Sequence, residues 1–198
     1  MGERGLVEAN GDMATNVVEE PAYRGKTRIY RDRLHAGLLL AKRLEGYVGD
    51  TDVCLLAIPA GGVPIGYATA KELHTSLDII VVRKIQIPWN PEAGFGAVTW
   101  NGETILNKPL VRQLGLNEAL IDEAVSKTRE IIEERVRRFR GGRPPPDLRE
   151  KTIILVDDGL ASGFTMLAAA KSVKKENPRA TIVAVPTASL SAVELVAP

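Results

Sequence analysis

The chain holds a single cysteine, Cys54, in 198 residues. No disulfide can form within it, which fits a reducing compartment. Cys54 lies inside the apolar run Val53 to Ile58, where it reads as a small core residue rather than a nucleophile. The two histidines, His35 and His74, are read as incidental. Charge of one sign is not in excess: 26 basic against 25 acidic residues leave no polybasic field for nucleic acid. No apolar run approaches a membrane span, and the first residues lack the apolar core of a signal peptide. Leu6 stands where a myristoylation signal after Met1-Gly2 wants Ser or Thr. No internal repeat is visible. These absences predict a cytoplasmic protein with neither a membrane nor a nucleic acid as partner. The length suffices for one domain with a sizeable core.

What is present concentrates in Ile153-Ile154-Leu155-Val156-Asp157-Asp158-Gly159-Leu160-Ala161-Ser162-Gly163-Phe164-Thr165. Four apolar residues read as a buried strand of a parallel sheet. Two adjacent carboxylates follow where that strand should end, and a small-residue loop then runs into the helix former Met166-Leu167-Ala168-Ala169-Ala170. Backbone N–H groups at the start of that helix can hold a phosphate dianion, which the glycines let approach closely. Ser162 and Thr165 can add hydroxyl donors. Asp157 and Asp158 would repel phosphate, so they suit the neutral end of a phosphorylated sugar, through paired ribose hydroxyls or a bound Mg²⁺.

Three other readings compete. A P-loop nucleotidase would need a lysine and hydroxyl after its second glycine, but Gly61 to Gly66 is followed by Tyr67-Ala68. A receiver domain would need more strands downstream than the chain supplies. Acids simply solvated at a strand end are the third.

The stretch resembles the phosphoribosyl-diphosphate (PRPP) signature of type I phosphoribosyltransferases: four apolar residues, an acidic pair, and a loop ending in Ser162-Gly163-Phe164-Thr165. The resemblance implies that Asp157 and Asp158 hold the ribose hydroxyls while Gly159 to Thr165 hold the 5′-phosphate. It extends over about residues 28 to 188. More closely, Ile58-Pro59-Ala60-Gly61-Gly62-Val63-Pro64, Val82-Arg83-Lys84-Ile85, Asn90-Pro91-Glu92 and Arg140-Gly141-Gly142-Arg143-Pro144-Pro145-Pro146-Asp147-Leu148 look like a group of microbial phosphoribosyltransferases whose acceptor is not established.

Residues 1–24 are polar and aperiodic and are expected to form a mobile arm, leaving 25–198 as a single domain. Asp32 can start a helix whose apolar face is Leu34, Leu38, Ala41 and Leu44. Arg31 and Arg33 are expected to be solvated or paired rather than ligand-binding. Val53 to Ile58 reads as the first central strand, followed by the Ala60-Gly61-Gly62 loop and a helix through Ile65, Ala68 and Leu73. The glycine pair permits close approach of an anion, and an ordinary tight turn explains it equally well. The resemblance assigns Ala60, Gly61 and Gly62 to the pyrophosphate, often with a cis peptide before a glycine, here Ala60-Gly61. Many relatives carry Arg or Lys where this chain has Ala60, a departure that takes one cationic pyrophosphate contact out of the implied site.

A second strand is expected from Leu77 to Val82, ending in Arg83-Lys84. Cations at a strand end are commonly just exposed, but the resemblance sends this pair to pyrophosphate. Residues 85–97 lack a period and are expected to form a flexible loop, with Trp89, Glu92 and Gly94 on a lid. Glu92 suits acid/base or metal-shell work, and a solvated carboxylate equally. Asn101-Gly102 signals a type I′ hairpin between Ala97–Trp100 and Glu103–Leu106. A helix from Asn117 to Gly141 repeats Ile121, Ala124/Val125, Thr128, Ile132, Val136 and Phe139, with arginines at its end expected in a salt-bridged surface with Glu130, Glu133 and Glu134. After the helix of 164–176, Thr181 to Val185 forms another strand, and Ser189 begins a short helix.

The expected fold is therefore α/β, a central parallel sheet flanked by helices, with a β-hairpin, a flexible loop and a reduced hood. By resemblance the activity is Mg²⁺-dependent displacement of pyrophosphate from PRPP by a nitrogen nucleophile, in a homodimer. Asp157, Asp158 and Lys84 are then the catalytic groups, and the acidic pair is also the metal site, direct or through water. A PRPP- or nucleotide-binding regulator without turnover stays open beside it, favoured by Ala60 and the short segment after the last strand.

Overall fold

The computed structural model describes residues 17–197. Its centre is a parallel sheet in which four strands, β1 (Val53–Ala57), β2 (Ser76–Ile79), β6 (Thr152–Val156) and β7 (Ala180–Ala184), lie in the order β2-β1-β6-β7. β1 and β6 are the inner pair, in register from Val53↔Thr152 to Ala57↔Val156, and every residue of both is buried. Burial on both faces explains why each reads as an unbroken apolar run. Alternation divides them between two cores. Val53, Leu55, Ile154 and Val156 pack with Ile65 and Leu73, whereas Cys54, Leu56, Ile153 and Leu155 pack with Met166, Ala169 and Val173. Burial pushes the Cys54 thiol up, as expected of a core residue.

One face is covered by α1 (Arg33–Arg43) and α2 (Gly62–Leu73). Asp32 caps α1 by accepting from the His35 N–H at 2.8 Å. The buried face of α1 matches the expected one at Ala41 and Leu44 only: Leu34 and Leu38 are 49% and 38% exposed, and Ala36 and Gly37 face inward in their place. Gly37 decides this, because a Cβ there would stand 2.6 Å from the Ile65 carbonyl oxygen. The two helices meet too closely for leucine. The opposite face receives α5 (Phe164–Lys174) and α6 (Leu190–Val196).

Between β2 and β6 the chain builds a second, antiparallel sheet of β3 (Val82–Ile87), β4 (Asn90–Thr99) and β5 (Thr104–Leu106), in the order β3-β4-β5. It is covered by α3 (Lys108–Gln113) and α4 (Glu118–Arg140), through a core of Ile85, Phe95, Val98, Val125 and Ile132. Three expectations fail here. The run Leu77–Val82 is not one strand: β2 stops at Ile79, and Val82 opens β3 in the other sheet. Residues 85–97 are not a structureless loop but most of a hairpin with register shifts at Gln86. The Asn101-Gly102 turn exists without type I′ geometry, since Gly102 has φ +80° but Asn101 is absent from the positive-φ residues, and Gly102 donates to Thr99 O.

The end of α4 also differs from expectation. Among the described residues no ion pair joins Glu130, Glu133 or Glu134 to its arginines. Phe139 is 46% exposed and Arg140 takes the buried place at 4%. The Arg140 guanidinium lies 5.5 Å over the Trp100 ring, donates to Ile79 O at 3.2 Å and faces Asp78 at 3.7 Å. Residues 1–16 of the expected arm lie outside the described residues. The rest of it meets α1, through Glu20 paired with Arg43 at 3.0 Å. No helix among the described residues is long and apolar enough to cross a membrane.

Candidate functional site

From β1 the chain leaves toward one edge of the parallel sheet, and from β6 toward the other. Ligands of such sheets bind in the crevice where the two directions part, beyond the carboxyl ends of the strands. That crevice holds residues 58–62 and 157–163. They touch: a Cβ on Gly61 would stand 2.2 Å from Asp158 Oδ2, and one on Gly62 would stand 2.6 Å from the Val156 carbonyl oxygen. Two segments distant in sequence thus meet only because β1 and β6 pair in register. The cis peptide in the first loop is Pro59-Ala60, one bond before the expected Ala60-Gly61.

Asp157 and Asp158 follow β6 directly. Asp157 Oδ1 accepts the Asp158 N–H at 2.8 Å. Burial pushes the Asp157 carboxyl from the ordinary 3.8 up to about 6; the Asp158 charge also raises it, while the Asp158 N–H and Arg33 work downward. Asp158 is engaged from another direction. The Arg33 Nε and Nη2 donate to its Oδ2 at 3.1 and 2.6 Å, from the first residue of α1. Arg33 is thus paired, within expectation, but no local pattern points to a partner 125 residues away.

Beyond the pair, Asp157, Gly159 to Gly163, Thr165 and Met166 line a hollow of about 150 Å³. Gly163 has φ +74° and caps α5 without a side-chain bond. Among the described residues the N–H groups of 161–165 donate to nothing. Successive free N–H groups at a helix start form a cradle for an oxyanion. The outer wall was not foreseen. Leu160 donates to Thr187 O at 3.0 Å, Ser189 N donates back to Leu160 O at 2.9 Å, and Ser189 Oγ donates to Ala161 O at 2.7 Å. The segment after β7 therefore braces the cradle, and Tyr30 in turn braces that segment through its hydroxyl on Pro186 O at 2.7 Å. Short-range patterns carry no trace of these pairings.

Among the described residues, no hydrogen bond or ion pair joins the side chains of the remaining candidates to this crevice. Arg83 and Lys84 lie on β3, and Lys84 Nζ donates to the Glu92 carbonyl oxygen across the hairpin. Gln86 holds Pro91 O at 2.9 Å in the same manner. Trp89, at the tip, is 62% exposed. Gly94 packs closely over Lys84, with room for a Cβ only 3.1 Å from the Lys84 Cβ. The sheet itself packs against α5.

A parallel sheet with an acidic pair, a glycine turn and a cradle of open N–H groups at one crevice is an α/β arrangement chemically suited to a phosphorylated sugar. The comparisons make the class specific. Residues 28–195 match the model of the phosphoribosyl transferase domain. The crystal structure of TT1426 from Thermus thermophilus superposes with a TM-score of 0.69 at 38% identity, covering 84% of this chain and 78% of that one. Two Mycobacterium tuberculosis sequences, from strains CDC 1551 / Oshkosh and ATCC 25618 / H37Rv, both named "Putative phosphoribosyl transferase", are 37% identical over 159 residues, 80% of this chain. The chain spans 36% of their length. The chain belongs to the phosphoribosyl transferase domain family.

Proposed function

We propose that this domain transfers the phosphoribosyl group of PRPP to a nitrogen nucleophile, a nucleobase in the first instance, with release of pyrophosphate. The observation that carries the reading is the junction of three elements in one crevice: the acidic pair, the Gly61-Gly62 turn pressed on Asp158, and the unpartnered N–H groups of 161–165. The cradle takes the 5′-phosphate. Asp157 and Asp158 accept from the ribose 2′- and 3′-hydroxyls, and Gly61-Gly62 lets the pyrophosphate approach backbone. The nitrogen lone pair forms the new bond to C1 as the bond from C1 to the pyrophosphate oxygen breaks. The nitrogen's proton passes to solvent. The protein contributes position and charge rather than a nucleophile.

Mg²⁺ fits this donor set as a cation carried largely by the substrate. The described residues contain no group of three or more His, Cys, Asp and Glu side chains able to hold a metal alone. Two adjacent carboxylates, one of them pushed up to about 6 by burial and its neighbour's charge, would complete a shell of substrate oxygens and waters. When bound, the ion would neutralise the leaving pyrophosphate.

The β3–β4 hairpin supports a cover for the reacting ribose, with Trp89, Glu92 and Gly94 near its free end. Arg83 and Lys84 would then serve pyrophosphate only if the hairpin folds toward the crevice. The proposed setting is cytoplasmic and the proposed assembly a homodimer. Magnesium-dependent pyrophosphate release from PRPP, measured across a panel of nucleobases, tests the reading. Release with at least one base is the expected result. Tight PRPP binding with no release for any base would replace the enzyme by a PRPP-binding regulator, a reading that Arg33 on Asp158 and the uncharged Ala60 favour.

A further inference from the structure

A diphosphate group needs cations, and the Ala60-Gly61-Gly62 loop supplies none. Lys84 is turned onto the Glu92 carbonyl oxygen. Among the described residues, Arg33 is the one cationic side chain bonded to residues 58–62 or 157–165. Its backbone is fixed, and its tip is held by one exposed ion pair. Asp32 caps the helix start, and Gly37, four residues on, is held by Thr69 Oγ1 at 3.1 Å and seated against Ile65 of α2. The guanidinium itself is largely exposed, with 57% of the side chain accessible. Both of its bonds go to Asp158 Oδ2, the same oxygen that lies against Gly61. The charge therefore stands at the boundary between the acidic pair and the glycine turn. An exposed ion pair of this kind holds weakly and exchanges readily for a stronger anion.

We propose that Arg33 is the diphosphate-binding cation of the crevice. Without ligand it rests on Asp158 and offsets the charge of the acidic pair. When the ribose hydroxyls occupy the carboxylates, the guanidinium turns from Asp158 to the diphosphate oxygens, for which its fork of donors is suited. This inference rests on the PRPP reading and adds a residue to it. It also gives the resting pair a role, since binding exchanges one anionic partner for another without stranding the charge.

The test compares two ligands on two proteins. Calorimetric affinities for PRPP and for ribose 5-phosphate are measured on the full chain and on Arg33→Met, with thermal midpoints confirming that the variant is folded. Loss of a charge-assisted contact predicts PRPP affinity lower by roughly 10- to 100-fold. Ribose 5-phosphate, which has no diphosphate, should bind at least as well as before. Arg33→Lys should recover part of the PRPP affinity. Equal losses for both ligands, or no loss for PRPP, would overturn the role of Arg33 while leaving the PRPP reading intact. Failure of the unaltered chain to bind PRPP would instead remove the PRPP reading, and this inference with it.

Discussion

In the parallel sheet the candidate groups stand beyond the ends of strands that are wholly buried, whereas in the antiparallel sheet they lie along the strands and in the turn of a hairpin. The difference shows in what holds them. Asp157 and Asp158 emerge from β6, locked between β1 and β7, and are flanked by Gly61 and Arg33. Lys84 and Trp89 belong to a hairpin whose tip is exposed and whose register shifts twice near Gln86. A rigid strand end fixes a carboxylate to a fraction of an ångström, as a ribose site requires. A hairpin supported at its base can move against that site, as a cover requires. Arg140 and Trp100 stand at the seam between the two regions.

Substitutions can sharpen or break this contrast. The largest effect is expected of Gly62→Ala, because its Cβ would meet backbone at Val156 O and Asp157 Cα, at 2.6 and 2.9 Å. Backbone in a central strand cannot yield, so stability should fall by about 1–3 kcal/mol in chemical denaturation. Arg140→Ala should cost a comparable but smaller ~1–2 kcal/mol. It removes the Ile79 O bond and leaves Asp78 and Trp100 without their cation, though Asp78 keeps access to water. Equal stability with the wild-type chain would show that the seam contributes nothing to holding the two regions together.

Gly61→Ala should separate folding from binding. The atoms nearest its Cβ all belong to the Asp158 carboxylate, a half-exposed side chain that can turn aside at the loss of its exposed Arg33 pair, so the fold should stay within about 1 kcal/mol of the parent. PRPP binding should nevertheless weaken, because the rotated carboxylate no longer faces the ribose. Retention of full PRPP affinity would argue against the role of Asp158.

The pH dependence tests the same pair. Asp157 has a raised carboxyl, near 6 in the fold against the ordinary 3.8, so the folded chain binds the extra proton between those values. Its contribution to stability is complete below about pH 4 and is lost as pH rises through about 6. Allowing for partial exposure, the loss should be on the order of 1 kcal/mol. Asp157→Asn should flatten that part of the stability curve. The smallest effect belongs to the hairpin tip: Trp89→Ala should change stability by less than about 0.5 kcal/mol. Turnover, in contrast, should drop if the hairpin covers the crevice. A large stability loss would make Trp89 part of the packing instead.

The inner strands, the acidic pair after β6 and the small-residue loop before α5 were legible in the sequence because each is a local pattern. Thr152–Val156 is apolar almost throughout since both faces are buried, and residues 161–163 are small, which leaves their N–H groups uncovered. The errors share a different cause. Leu77–Val82 looks continuous because apolar residues serve either sheet, and only tertiary packing makes the chain change sheets at Ile80. Arg140 looks like one more exposed arginine until Trp100 and Ile79 close over it. Leu34 and Leu38 belong to the apolar period of α1 together with Ala41 and Leu44, yet the close approach of α1 to α2 turns Ala36 and Gly37 inward in place of the two leucines.

By itself the sequence determined the strands that must be buried, the acids that must follow β6 and the loop that can receive a phosphate. Those features depend on hydrophobic period, strand ends and backbone freedom, all written within a short stretch of chain. Tertiary structure decided which distant segments complete the crevice: Gly61 against Asp158, Arg33 on the same carboxylate, and Ser189 behind the cradle. Each of those contacts spans a loop closed only by strand pairing or helix packing, so no local pattern could record it.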